Sequence, residues 1–203
     1  MIVDPAASSI HDIEKLLVGV IVPRPIALVS TLNTDGVPNL APFSFFTAVC
    51  PKPPVVCFCN SVRLRDGARK DTIRNAEATG EFVINIVSED FAQKMVLCSG
   101  EYAPDVNEFD VSGLTPIPSD IVKPPRVKES HVQMECKLLQ IVTVSDQPGG
   151  GSLVMGQVLR FHVDDRVIKD GRVDADLLQP VGRMGGIDYV RTTDRFSMVR
   201  PKM

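Results

Sequence analysis

Apolar and polar positions alternate with a period of two over much of this chain, which predicts strands. From residue 132, the side chains of Val132, Met134, Cys136 and Leu138 share one face, and those of Gln133, Glu135 and Lys137 the other. The phase slips at Leu138–Leu139, which predicts a β-bulge. Residues 146–151, including Gly149, Gly150 and Gly151, read as a turn, and Leu153, Met155, Leu159, Phe161 and Val163 then mark a long strand. Upstream, residues 81–87 set Phe82, Ile84 and Ile86 against Val83, Asn85 and Val87. Residues 25–32, 37–50 and 55–59 are also extended, separated by the turn Asn33-Thr34-Asp35-Gly36 and by Pro51, Pro53 and Pro54.

Helical signals are fewer. Ser8 or Ser9 caps a short helix through Leu17. Residues 71–79 form another, stopped by Gly80. Ser88 caps a third that ends near Cys98, with Glu89 and Asp90 in its first turn. Residues 101–125 carry five prolines and read as a long ordered excursion with a short helix around 106–109. Loops of that length are functional or lie at interfaces. Many strands, few helices and no βαβ alternation predict a mostly β fold: an antiparallel barrel with added helices, as a single domain over residues 1–203.

Composition narrows the function classes. A hydrophobic fraction of 44% supports a globular core. The net charge of −3 is spread without a basic block, which argues against nucleic acid. No apolar run is long enough for a membrane span, and residues 1–9 lack the pattern of a secretion signal. An odd count of five cysteines predicts reduced thiols and a cytoplasmic protein. Cys57 and Cys59 share one strand face, yet no second pair or nearby histidine completes a metal site, so they read as structural thiols. His11, His131 and His162 are scattered.

No nucleophile elbow, metalloprotease motif or P-loop is present, and the three-glycine run lies between strands, where it is a turn and not a dinucleotide fingerprint. Catalysis would therefore belong to a bound cofactor. Two segments suit one. Lys70-Asp71-Thr72 opens a helix where free N–H groups and the positive dipole end attract a phosphate; the alternative is an ordinary cap with Asp71 or Thr72 at the N-cap and Lys70 solvated. Residues 39–46 combine Pro42, Ser44 and the aromatics Phe43, Phe45 and Phe46 in an extended segment that cannot join a regular ladder throughout. Apolar walls with a few edge hydrogen bonds suit a flat heteroaromatic ring; the alternative is a barrel edge with core phenylalanines.

Several ordered stretches carry a resemblance: Val22-Pro23-Arg24-Pro25-Ile26-Ala27-Leu28-Val29-Ser30-Thr31, residues 39–46, Lys70-Asp71-Thr72 with Arg74-Asn75, and Gly80-Glu81-Phe82-Val83-Ile84-Asn85. Glu135-Cys136, Gly156-Gln157-Val158, Arg183-Met184-Gly185-Gly186 and Tyr189 follow. Together, over about residues 10–192, they resemble the flavin reductase-like family, which includes flavoredoxin and the small reductase components of two-component monooxygenases. The resemblance implies an FMN-binding split β-barrel that forms a homodimer with FMN at the subunit interface. It implies that Asn39, Ala41, Pro42, Phe43, Ser44 and Phe45 run along the isoalloxazine, with Ser44 at its polar edge. Thr31 and Asn60 would lie near the ring or ribityl chain, and Lys70 and Thr72 would hold the phosphate. His162 falls in a strand where relatives often carry a histidine on the nicotinamide side; it faces either solvent or cofactor. Tyr189, with Arg183, approaches the cofactor or packs across the dimer. Cys57-Phe58-Cys59-Asn60 departs from the small hydroxyl residues common in relatives. The implied activity is NADH- or NADPH-dependent flavin reduction, with a monooxygenase or another electron acceptor as partner. The rivals are a flavoredoxin-like electron carrier without its own NAD(P)H site and a non-enzymatic dimeric barrel module. One phosphate-binding candidate implies FMN and not FAD.

Overall fold

The computed structural model describes residues 1–201, and seven antiparallel strands curl around its main core. They are β1 (Ala27–Leu32), β2 (Pro38–Phe43), β3 (Phe46–Pro51), β4 (Pro54–Ser61), β5 (Glu81–Ile86), β6 (Val132–Ser145) and β7 (Gly151–Val163). Their order across the sheet is β2-β1-β5-β6-β7-β4-β3. The two edge strands, β2 and β3, are consecutive in sequence and joined only by Ser44 and Phe45. At that dipeptide the chain passes from one edge of the sheet to the other, which is the split of the barrel. This is why the stretch expected as one extended run over 37–50 is two strands. Beside the crossing, Cys59 N–H donates to the Phe45 carbonyl at 2.8 Å.

Inward-facing residues build the core as the alternation predicts. Phe58 is fully buried, with its ring centroid 4.8 Å from Phe43 and 5.6 Å from Phe82. Gly156 makes room for Phe82: a Cβ there would lie 2.2 Å from the ring. The predicted bulge is present, because Leu138 pairs with Gly156 and Gln140 with Met155, leaving Leu139 unmatched. Ile73 and Ala76 of α2 (Asp71–Thr79) join the same core, and Gly80 ends that helix at φ +72°. The N-cap of α2 is Lys70, not Asp71 or Thr72.

A second core lies on the other side of the sheet. Leu28 and Leu40 pack there against Phe91, Met95 of α3 (Ala92–Leu97) and Phe109 of α4 (Glu108–Ser112). Strand β1 is therefore buried on both faces, as its continuous apolar run suggests. The helix after Ser88 begins as a 3-10 turn, and the one expected around 106–109 forms at 108–112, capped by Asn107. The excursion covers the polar face of β6, so Gln133 and Glu135 are buried rather than exposed. Glu135 accepts N–H groups of Asp120, Ile121 and Val122 at 2.8, 2.6 and 3.0 Å.

Helix α1 (Ile10–Val20) is capped by Ser9 and runs past Leu17. None of its residues is buried. The buried Arg24 holds its C-terminal end, donating to the Val18 and Ile21 carbonyls at 2.6 Å each and to the Met184 carbonyl at 2.9 Å. Arg24–Pro25 pairs with Val181–Arg183, which pairs with Tyr189–Arg191. Among the described residues, no helix is long and apolar enough to cross a membrane.

Candidate functional site

The site begins at the N-terminus of α2. Lys70 has an extended backbone and no side chain caps the first turn. The N–H groups of Asp71, Thr72 and Ile73 have no hydrogen-bond partner among the described residues. The half-buried Lys70 ammonium lies 5.4 Å from the Phe43 ring centroid, with no carboxylate at ion-pairing distance among the described residues. Burial lowers its pKa, Glu101 works against that, and Arg63 lowers it further. Arg63 comes from the loop after β4, pinned by Val62 N–H to the Gly150 carbonyl at 2.9 Å. Its Nε is buried without a hydrogen bond, with Asp66 Oδ1 at 3.3 Å as its charge partner. A neighbouring pair of cations beside unmatched N–H groups makes a place for an anion.

These groups line a cavity of about 150 Å³, together with Asn39, Ala41, Pro42, Thr72 and residues 98–102. A groove of about 610 Å³ shares Arg63, Lys70 and Glu101 with it and continues between α1 and the loop after β4. Ile10, Ile13, Leu17, Phe45 and Leu64 make that groove largely apolar. A small polar cavity opening into an apolar groove can take a ligand with an anionic tail and a flat apolar body.

A hydrogen-bond network behind the cavity fixes its inner wall. Thr72 Oγ1 donates to Asn39 Oδ1 at 2.8 Å, and Asn39 Nδ2 donates to Glu108 Oε1 at 2.7 Å. The other Glu108 oxygen accepts Leu40 N–H at 2.9 Å. Burial raises the Glu108 pKa, and the bond from Leu40 opposes the shift. The Thr72 hydroxyl proton is thus given inward, and what Thr72 offers the cavity is its backbone N–H. Thr31 is fully buried, accepts from Asn75 Nδ2 at 3.1 Å and stands behind Asn39. It supports the wall and does not line either space.

The other expected residues divide in two. Phe43 belongs to the barrel core, while Phe45, 41% exposed, faces the groove. Ser44 accepts from Arg24 Nε at 3.4 Å. Asn60 is buried, and its Oδ1 has no hydrogen-bond partner. His162 and Tyr189 are not brought to the cavity within one chain. His162 Nε2 lies 2.5 Å from Glu135 Oε1, next to Asp120, whose carboxylate pairs with Arg160. Tyr189 lies under the Arg183 guanidinium at 4.5 Å, on the small C-terminal sheet. Burial pushes up the Cys57 and Cys59 thiols, as inert packing residues require. Sequence reasoning gave the phosphate to Lys70 and Thr72, with Arg63, Arg65 or Arg69 of the preceding loop as the next candidates, and gave Glu108 and Tyr102 no place in this wall. The available signals were the basic pair Arg63 and Arg65 ahead of a phosphate-type helix, and the length of the excursion.

Fold and cavity together define a split-barrel protein with a built anion pocket beside an apolar groove. The profile of the flavin reductase like domain matches residues 20–177, and the chain belongs to that family. A protein of Aquifex aeolicus is 44% identical over 178 residues, covering 87% of this chain and 88% of its own. Nitrilotriacetate monooxygenase component B from Bacillus cereus superposes with a TM-score of 0.92 at 34% identity, covering 98% of each chain. The 2-nitrobenzoate 2-nitroreductase NbaA of Pseudomonas fluorescens gives 0.88 at 33% identity, over 99% of this chain and 96% of that one.

Proposed function

We propose that this chain is an FMN-binding flavoprotein that works in the cytoplasm as a homodimeric, NAD(P)H-dependent flavin reductase. The observation that carries the reading is the Lys70 ammonium, without an ion-pair partner among the described residues, beside the buried Arg63 Nε and the free N–H groups of α2, where a small polar cavity meets an apolar groove. These groups suit the terminal phosphate of a flavin mononucleotide. Bound FMN supplies a hydride acceptor for NADH or NADPH and a source of electrons for a monooxygenase or another acceptor.

The chain's own residues bind and orient. Arg63, Lys70 and the Thr72 N–H hold the phosphate and neutralise its charge. Asn39, Ala41 and Pro42 form the wall next to it, with Asn39 locked by Thr72 and Glu108. Phe45 and the apolar face of α1 keep water from the ring, and Ser44, held by Arg24, offers a hydroxyl at its edge. Hydride transfer needs no protein base, which agrees with the absence of a nucleophile motif in the sequence.

Dimerisation is supported by an apolar outer face. Val49 is 52% exposed and Phe161 54%, and both line one open depression with Val55 and Val158. Contiguous apolar surface of this kind marks interfaces. The similarity to a monooxygenase component B supports an oxygenase partner.

The test is the absorbance of the purified protein, reconstituted with FMN and titrated anaerobically with NADH and NADPH. A bound-flavin spectrum that bleaches with either donor supports the reading. A protein that takes up no FMN refutes it, and bound FMN that neither donor bleaches leaves an electron carrier.

A further inference from the structure

After the strand Tyr189–Arg191 the chain turns at Thr192 and Thr193 and leaves the body of the protein. Two contacts hold the start of this arm. Thr192 Oγ1 donates to the Pro180 carbonyl at 3.0 Å, and Arg195 pairs with Asp176 of the helix Ala175–Leu178. Beyond them, residues 195–201 form no helix or strand, and their backbone groups have no backbone hydrogen-bond partner among the described residues. The side chains are bare as well. Phe196 is 84% exposed, Met198 83% and Val199 94%. A single apolar residue at a surface is ordinary, but three large ones within four positions of an unpaired segment mark a contact surface.

We propose that residues 195–201 of each protomer cross to a second copy of this chain and seat Phe196, Met198 and Val199 in that copy's open depression, beside Val49, Cys50 and Phe161. The inference rests on the homodimer reading above and names the segment that ties the two copies together. The depression holds about 730 Å³, and β3 runs along it over its whole length. Its lining is apolar, and no residue of the arm takes part in it within one chain. One chain thus carries both an apolar arm and an apolar seat and leaves both open. Two copies related by a two-fold axis fill both, with the same contact made twice. The chain path favours this. Leu178, on the helix that tethers Arg195, packs with Val132 and Val163, the first residue of β6 and the last of β7. Phe161 lies two residues before Val163 on β7, so the arm departs from the rim of the face proposed to dimerise. Six residues, 196–201, reach roughly 20 Å when extended, the length of a strand such as β3. Strand β3 is an edge of the main sheet, with its outer backbone groups outside the ladder. The arm brings unpaired backbone groups to that edge, and an added segment is held by such pairing together with pockets for its side chains.

The experiment measures the dimer Kd of the full chain and of a chain stopped after Thr193, by analytical ultracentrifugation from nanomolar to micromolar concentration. The arm is bare in one chain, so its removal should leave the far-ultraviolet circular dichroism unchanged. The dimer Kd should rise by about 30-fold or more, and Phe196→Asp in the full chain should raise it by about 10-fold. The seat is tested separately with the exposed native Cys50. Phe196→Cys and Met198→Cys are made one at a time and treated with oxidised glutathione as the oxidant. At least one should give a disulfide-linked dimer on a non-reducing gel, and adding Cys50→Ser should abolish it. A dimeric parent whose Kd moves less than about threefold on truncation overturns the inference and leaves the homodimer standing. A linked dimer that survives Cys50→Ser, or none in either variant, also overturns it. A parent that stays monomeric overturns the homodimer reading and this inference together.

Discussion

Replacing Lys70 by methionine removes one charge from the anion cavity and keeps the stem beside Phe43. A hydrogen bond to a charged group contributes about 1.5–3 kcal/mol. Lys70 is only half-buried and would share one phosphate with Arg63, so the lower part of that range applies. A loss of about 1.5–2 kcal/mol is roughly a 10- to 30-fold rise in the Kd for FMN. The loss should shrink at high ionic strength, because a partly exposed charge is screened. Lys70→Met and Arg63→Met should combine less than additively, since both groups address one anion. In the flavin-free protein the sign reverses. Burial holds the Lys70 pKa below its unfolded value, so its charged form costs stability below the folded pKa, and that cost fades as pH rises through it. Flavin-free Lys70→Met should therefore melt no lower than the parent at neutral pH. Fluorescence titration and thermal melts measure the two effects. FMN binding within about twofold of the parent would refute the phosphate assignment, and a flavin-free variant melting several degrees lower would refute the desolvation argument.

Other expectations address the frame around the site. Burial pushes the Glu135 carboxyl up, but bonds from Asp120 N–H, His162, Ile121 N–H and Val122 N–H outweigh it and bring the pKa to about 2. Because that lies below the unfolded value of about 4.3, the stabilisation is present above that pH and lost as pH falls toward 2. Glu135→Gln should cost about 2–3 kcal/mol at pH 7 and flatten the acid limb of a denaturant-stability profile; an unchanged limb would show that the excursion is held otherwise. Gly156→Ala forces a methyl into the Phe82 ring and should destabilise by about 1–3 kcal/mol or more in urea titration, with a neutral result meaning that the barrel core yields there. Phe161→Asp should convert a dimer into a monomer by light scattering at micromolar concentration; a monomeric parent would refute the proposed interface.

Much of the fold was legible along the chain. Strand alternation, the slip at Leu139 and the helix ended by Gly80 all depend on near neighbours, so a local pattern carries them. Lys70 and Asn39 could be singled out for the same reason: a basic residue opens a helix, and a polar residue begins an interrupted strand. Three features of the site were not legible. The first is the direction of each polar group. Thr72 has a free hydroxyl in the sequence, but the half-buried Asn39, oriented by Glu108, accepts its proton. The second is which polar face is covered. Gln133 and Glu135 alternate like surface residues, yet the excursion seals them with backbone donors. The third is the company each residue keeps. The β2-β1-β5-β6-β7-β4-β3 order brings the loop after β4 beside the start of α2, and the excursion beside both. Arg63, Lys70, Tyr102 and Glu108 meet only because the strand edges close on each other across Ser44 and Phe45. Periodicity reports which side of its own element a residue faces; what stands opposite it is set by pairings between segments far apart in the chain, and those exist only once the barrel has formed.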